Sequence, residues 1–155
     1  MRHYQCNSPE AAGRILAVCL LSDGHLSLTE LEALERCGME KRLLLNRHRL
    51  LAIVQTLCED MTHSGYLNWN DVCQLDPATL AALAADVQDR RLRRDIMELC
   101  NEAVMADRSH CEREADFLRL LRNAWQLPAG SARRDALTGG DTGVSASYRP
   151  TLMKR

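Results

Sequence analysis

The sequence predicts an all-α fold: a single-domain bundle of about six to seven mostly antiparallel helices, arranged as pseudo-twofold helical hairpins. Three observations predict it. Hydrophobic residues make up 46% of the 155-residue chain but aromatics only 4%, with Leu and Ala dominant. That balance suits helices packed by Leu better than a sheet built on β-branched and aromatic residues. Apolar positions recur at spacings of three and four, and no stretch shows the alternating period of a strand. The length suits one domain with a real core.

The first helix opens at Ser8, an N-cap, with Pro9 at the first helical position and Glu10 in the first turn. Its buried side is expected at Ala12, Ile15, Leu16 and Cys19, and Asp23-Gly24 ends it with a left-handed turn. A second helix runs over residues 27–37. Leu28, Leu31 and Leu34 form its apolar stripe, Glu32, Glu35 and Arg36 face water, and Gly38 stops it. A longer helix lies in "NRHRLLAIVQTLCEDM", buried through Leu50, Ile53, Val54, Leu57, Cys58 and Met61. "THSGYLNWND" is a connection, in which Trp69 either anchors the loop or meets a partner. Asp76-Pro77 repeats the cap-and-proline start for "ATLAALAADV", and Asp89 caps a helix through Leu92, Ile96, Leu99, Ala103 and Val104. The last helix spans residues 111–125, with Phe117, Leu118, Leu121 and Trp125 inward, and Pro128 closes it. The helical domain is therefore 1–127. Residues 128–155 are rich in Gly, Ser, Ala and Arg without any period, carry five basic and two acidic side chains, and read as a flexible C-terminal tail.

Composition also excludes classes of function. The net charge is -1, from 20 basic and 21 acidic residues, so no nucleic-acid-binding surface is expected. No apolar run approaches the roughly 20 residues that span a bilayer, so direct membrane insertion is not expected. The polar N-terminus lacks the order of a signal peptide, which points to a cytoplasmic protein. The seven cysteines are never closer than eleven positions, and no C-x-x-C is present. Zinc grammar is thus missing, and Cys19, Cys58 and Cys100 read as small core hydrophobes.

One internal similarity bears on chemistry. A shift of 84 positions lays "LLSDGHLSLTELEAL" over "VMADRSHCEREADFL", so that Asp23 falls on Asp107, Glu30 on Glu114 and Leu34 on Leu118. In each copy an apolar helix ends in Asp, and a Glu follows in the first turn of the next helix. This is not an EF-hand: counted from Asp23, position 6 is Leu28 rather than Gly and position 12 is Leu34 rather than Glu. Ser27 to Glu30 reads first as a capping box, in which the Ser hydroxyl and the Glu carboxylate satisfy each other's backbone amides. In the second copy Cys111, a poor acceptor, holds the cap position while Glu114 keeps its place. That persistence makes Asp23, Glu30, Asp107 and Glu114 candidate ligands for a divalent cation, calcium, magnesium or manganese, all of which take hard oxygen donors. Among the histidines only His25 is placed to join them. Capping alone remains the competing account of both glutamates.

"ILAVCLLSDGHLSLTELEALERCG", followed by "DIMELCNEAVMADRSHCEREADFLRLLRNAWQL", resembles the tellurite-resistance TerB family. The resemblance covers roughly residues 8–127 and is poorest over 39–76. It implies an all-helical, non-enzymatic stress-response module with clustered acidic residues, a metal-sensing role, and protein partners in a membrane-associated stress complex. The protein would then be peripheral to the inner membrane through those partners. The family's acidic positions fall on Asp23, Glu30, Asp107 and Glu114. Arg108 stands where the family usually has Gly, which puts a cation beside Asp107.

Two other functions compete with this one. A pure adaptor, co-chaperone-like because relatives of this fold occur beside J-domains, would show an exposed apolar patch near Tyr66 and Trp69 and no metal response. A Cys-dependent enzyme would use Cys111 beside His110 at a helix start, where thiol pKa falls. The chain has no G-x-S-x-G elbow, P-loop or H-E-x-x-H.

Overall fold

The computed structural model describes residues 2–63, 76–106 and 112–127. Among them are seven helices and no strand: α1 (Pro9–Leu21), α2 (Leu28–Arg36), α3 (Met39–Leu43), α4 (Arg47–His63), α5 (Pro77–Ala85), α6 (Arg90–Ala106) and α7 (Glu112–Ala124). The all-α bundle expected from composition and periodicity is what forms. The connection holding Tyr66 and Trp69, residues 107–111 and the C-terminal 128–155 lie outside the described residues.

The helix starts follow the punctuation in the sequence. Ser8 Oγ accepts from Ala11 N at 3.1 Å. Asp76 Oδ1 accepts from Ala78 N at 2.9 Å and Thr79 N at 3.0 Å. Asp89 Oδ1 accepts from Leu92 N at 2.7 Å. Each bond satisfies an amide that has no partner within its own helix. Gly24 and Gly38 carry φ of 90° and 77°, the left-handed turns that end α1 and α2.

α1 departs from the one-sided helix expected of it. All of its residues from 11 to 21 are buried, the charged Arg14 included. It packs against α3, α4, α5, α6 and α7, so the other helices wrap it rather than lie beside it. Small residues make this possible. A Cβ on Gly13 would lie 2.7 Å from Ile53 Cδ1 and 2.8 Å from Leu45 Cδ2, so the glycine lets these two side chains reach the α1 backbone.

Two further departures have simple causes. Leu28 is 68% exposed, because the buried face of α2 is made by Glu30, Leu31, Ala33 and Leu34 and the first helical residue points away from it. α3, which the sequence reading leaves out, is only five residues long, too short to show a period. It buries Met39 and Leu43 and is closed by Leu44, left-handed at φ 55°. Trp125 is core, as expected: it is 4% exposed, and its Nε1 donates to the Ala84 carbonyl at 2.9 Å.

Residues 2–7 form a strap across α1. Asn7, left-handed at φ 60°, accepts at Oδ1 from Gln88 N at 2.7 Å and Asp89 N at 2.9 Å. Its own amide donates to the Asp86 carbonyl at 2.8 Å. At the other end Arg2 pairs with Glu59 and Asp60 on α4. Between them the buried Arg14 donates to the Arg2 carbonyl and lies 4.4 Å from the centroid of the Tyr4 ring. A carbonyl and an aromatic face are how this buried guanidinium is accommodated.

The Gly13 contact makes a graded prediction for urea unfolding. Gly13→Ala is expected within about 1 kcal/mol of wild type, because two methyl ends must shift while helix propensity improves by a similar amount. Gly13→Leu is expected to lose roughly 1–3 kcal/mol or more through overpacking. Equal stability for the two variants would contradict the close approach of α1 to α4.

Candidate functional site

The first corner joins α1 to α2. Asp23 is half-buried, and its Oδ1 accepts from the His25 amide at 2.8 Å, an Asx-type turn that lets the chain reverse after α1. The capping box is formed: Ser27 Oγ accepts from Thr29 N at 3.2 Å, and Glu30 Oε2 accepts from Ser27 N at 3.3 Å. Its consequence is to turn Glu30 inward. Glu30 is 1% exposed, among the most deeply buried side chains of the protein.

Glu114 in the second corner is also 1% exposed, in the first turn of α7. Both glutamates are therefore buried in the first turn of a helix. A negative charge there gains from the helix dipole, which offsets part of the cost of burial.

One thiol reports on both. Cys19, near the end of α1, donates to the Cys100 carbonyl of α6 at 3.9 Å. Its pKa is pushed well above the ordinary 9.0, first by side-chain hydrogen bonding with Cys100, then by burial and by electrostatic interaction with Cys100, Glu30 and Glu114. Both glutamates therefore lie within electrostatic reach of one sulfur. Sequence reasoning placed Cys19 on a core face but had no means of bringing it within electrostatic reach of two carboxylates from distant segments.

As a metal site, the set is incomplete among the described residues. Asp23, Glu30 and Glu114 are described, and Asp107, His110 and Cys111 are not. No three His, Cys, Asp or Glu side chains among the described residues come together as a metal-binding group. The three described carboxylates alone do not fit a metal centre, and His25 is exposed at the corner. The thiols of Cys37 and Cys58 are pushed up as well, both chiefly by burial, which is opposite to the activation a nucleophile requires.

A second ion cluster, besides that of Arg2, lies elsewhere. Arg42 of α3 donates from Nη2 to Asp95 Oδ1 at 2.6 Å and also to Glu98, both on α6. This tie was not foreseen, because its partners are 53 and 56 positions from Arg42.

No helix among the described residues is long and apolar enough to cross a membrane. Comparison with protein-family models, with curated proteins and with solved structures gives no match.

The raised Cys19 pKa has a signed consequence. Below the ordinary thiol range Cys19 is protonated in both folded and unfolded chains, and its contribution to stability is complete. As pH rises through 9 the unfolded chain releases this proton and the folded chain retains it, so stability falls. Unfolding free energies measured from pH 7 to 10 are expected to fall less steeply in Cys19→Ala than in wild type. Parallel curves would contradict the assignment.

Proposed function

We propose that this chain is a non-enzymatic stress-response module of the tellurite-resistance type, acting by binding through its clustered acidic residues. The reading gives the corner carboxylates Asp23, Glu30, Asp107 and Glu114 to a divalent cation, calcium, magnesium or manganese, and the surrounding surface to protein partners. It places the protein in the cytoplasm, peripheral to the inner membrane through those partners.

The observation that carries it is the shared placement of Glu30 and Glu114. Two carboxylates at 1% exposure act on one buried thiol, and each comes from a helix that follows an Asp-containing corner. Buried like charges repel unless protons or a cation compensate them.

An adaptor that binds protein without metal is the second reading. What favours it is the exposure of Leu28 at 68% and Met105 at 66%, on the helices that border the two corners. Apolar side chains left in water beside a corner suit a protein contact.

Thermal melting with millimolar calcium, magnesium or manganese separates the two. The metal reading expects Tm to rise with one of the three ions, and that rise to vanish in Asp23→Asn. A Tm unmoved by all three ions in wild type would leave the adaptor reading in its place.

A further inference from the structure

The N-terminal turns of α6 hold four arginines. α1, α2 and α7 carry acidic residues in their first turns, as the positive end of a helix dipole favours. α6 instead begins Arg90, Arg91, Leu92, Arg93, Arg94 and has no acidic residue in its first turn. Four cations there oppose the dipole.

One of the four has a structural use. Arg93 Nε donates to the Val87 carbonyl at 2.7 Å, and its guanidinium lies 6.0 Å from the Trp125 ring centroid. Arg90, Arg91 and Arg94 are exposed and make no hydrogen bond or ion pair with any described residue. At about 100° per residue they share one face of the helix within an arc of about 100°.

Two of them have lost partners that the sequence supplies. Asp95 lies four residues after Arg91, and Glu98 four after Arg94, the spacing at which helical ion pairs form. Both carboxylates are taken by Arg42 of α3. The packing of α3 on α6 thus strips the arginines of their local counter-charges and leaves three forked donors facing water.

We propose that Arg90, Arg91 and Arg94 form a docking surface for a short acidic segment of a partner protein, whose carboxylates the guanidinium forks engage. Charge and its extent select this occupant. Asp86 and Asp89 precede the stripe and Asp95, Glu98 and Glu102 follow it, so carboxylates flank the basic face on both sides along the chain. A long polyanion such as nucleic acid, or an anionic bilayer, would extend past the stripe onto Asp86, Asp89 and Glu102 and be repelled. Two or three carboxylates on a peptide would not. The stripe lies at the N-terminal end of α6, roughly 20 Å along the helix from the corner it leads to, so the proposal stands apart from any metal at the corners.

The test is fluorescence anisotropy on the full chain, with a labelled peptide alternating glutamate and serine and a second with glutamine for glutamate, in low salt. Wild type is expected to bind the acidic peptide at least about tenfold more tightly than the glutamine peptide, with affinity falling as salt is added. The triple variant Arg90→Gln, Arg91→Gln, Arg94→Gln is expected to lose about tenfold or more, while an equally charged control, Arg36→Gln, Arg113→Gln, Arg119→Gln, stays within about twofold of wild type. Folding is not at stake, because removing cations that oppose a helix dipole is expected to leave Tm unchanged or raised. No binding by wild type, equal losses in the two triple variants, or a stripe variant impaired only toward phosphatidylserine vesicles or duplex DNA would each overturn the proposal.

Discussion

The structure depends on burying α1 on every side. A helix with water on one face needs only a stripe of apolar residues, but α1 has no exposed face to fill with polar ones, and residues 11–21 are buried without a break. Five other helices use it as their common surface. Large side chains at every position would hold those helices apart, so Ala11, Ala12, Gly13, Ala17 and Cys19 alternate with Ile15, Leu16, Leu20 and Leu21. Arg14 is the cost of that arrangement, a cation inside the bundle, and the N-terminal strap answers it with a carbonyl and a tyrosine ring.

The same constraint produces the candidate site. α1 must stop cleanly, and Asp23 and Gly24 turn the chain so that α2 can lie on α6. The capping box fixes the start of α2 and turns the Glu30 carboxylate back to the Ser27 amide. Glu114 reaches the surroundings of the same Cys19 from α7. The small volume of Cys19 leaves room near the contact of α1 with α6, and its thiol tolerates two neighbouring carboxylates by keeping its proton. Helix termination, capping and the electrostatics of the core therefore meet at one sulfur.

Most of the helix boundaries were legible in the sequence, because caps act over three or four residues. Ser8-Pro9, Ser27 to Glu30, Asp76-Pro77 and Asp89 each announce a helix through a bond that forms locally. The chemistry that decides function is less local. The strap from Asn7 to Gln88 joins residues 81 positions apart, and the Arg42 cluster joins two helices through polar atoms that carry no period. Leu28 was misplaced because the inward-facing Glu30 rotates the buried face of α2, an effect that a stripe of leucines conceals. The repeat identified Glu30 and Glu114 as equivalent from sequence alone. That both are buried near one thiol required the packing of α1 on α6.

The central claim is that Glu30 and Glu114 share one buried environment, and a double-mutant cycle tests it most directly. Unfolding free energies of Glu30→Gln, Glu114→Gln and the double variant, measured at pH 7, give the interaction between them without reference to metal or partner. The shared environment predicts a coupling, of either sign, of about 1 kcal/mol or more. Additivity within about 0.5 kcal/mol would mean that the two corners are energetically independent, and would contradict the account.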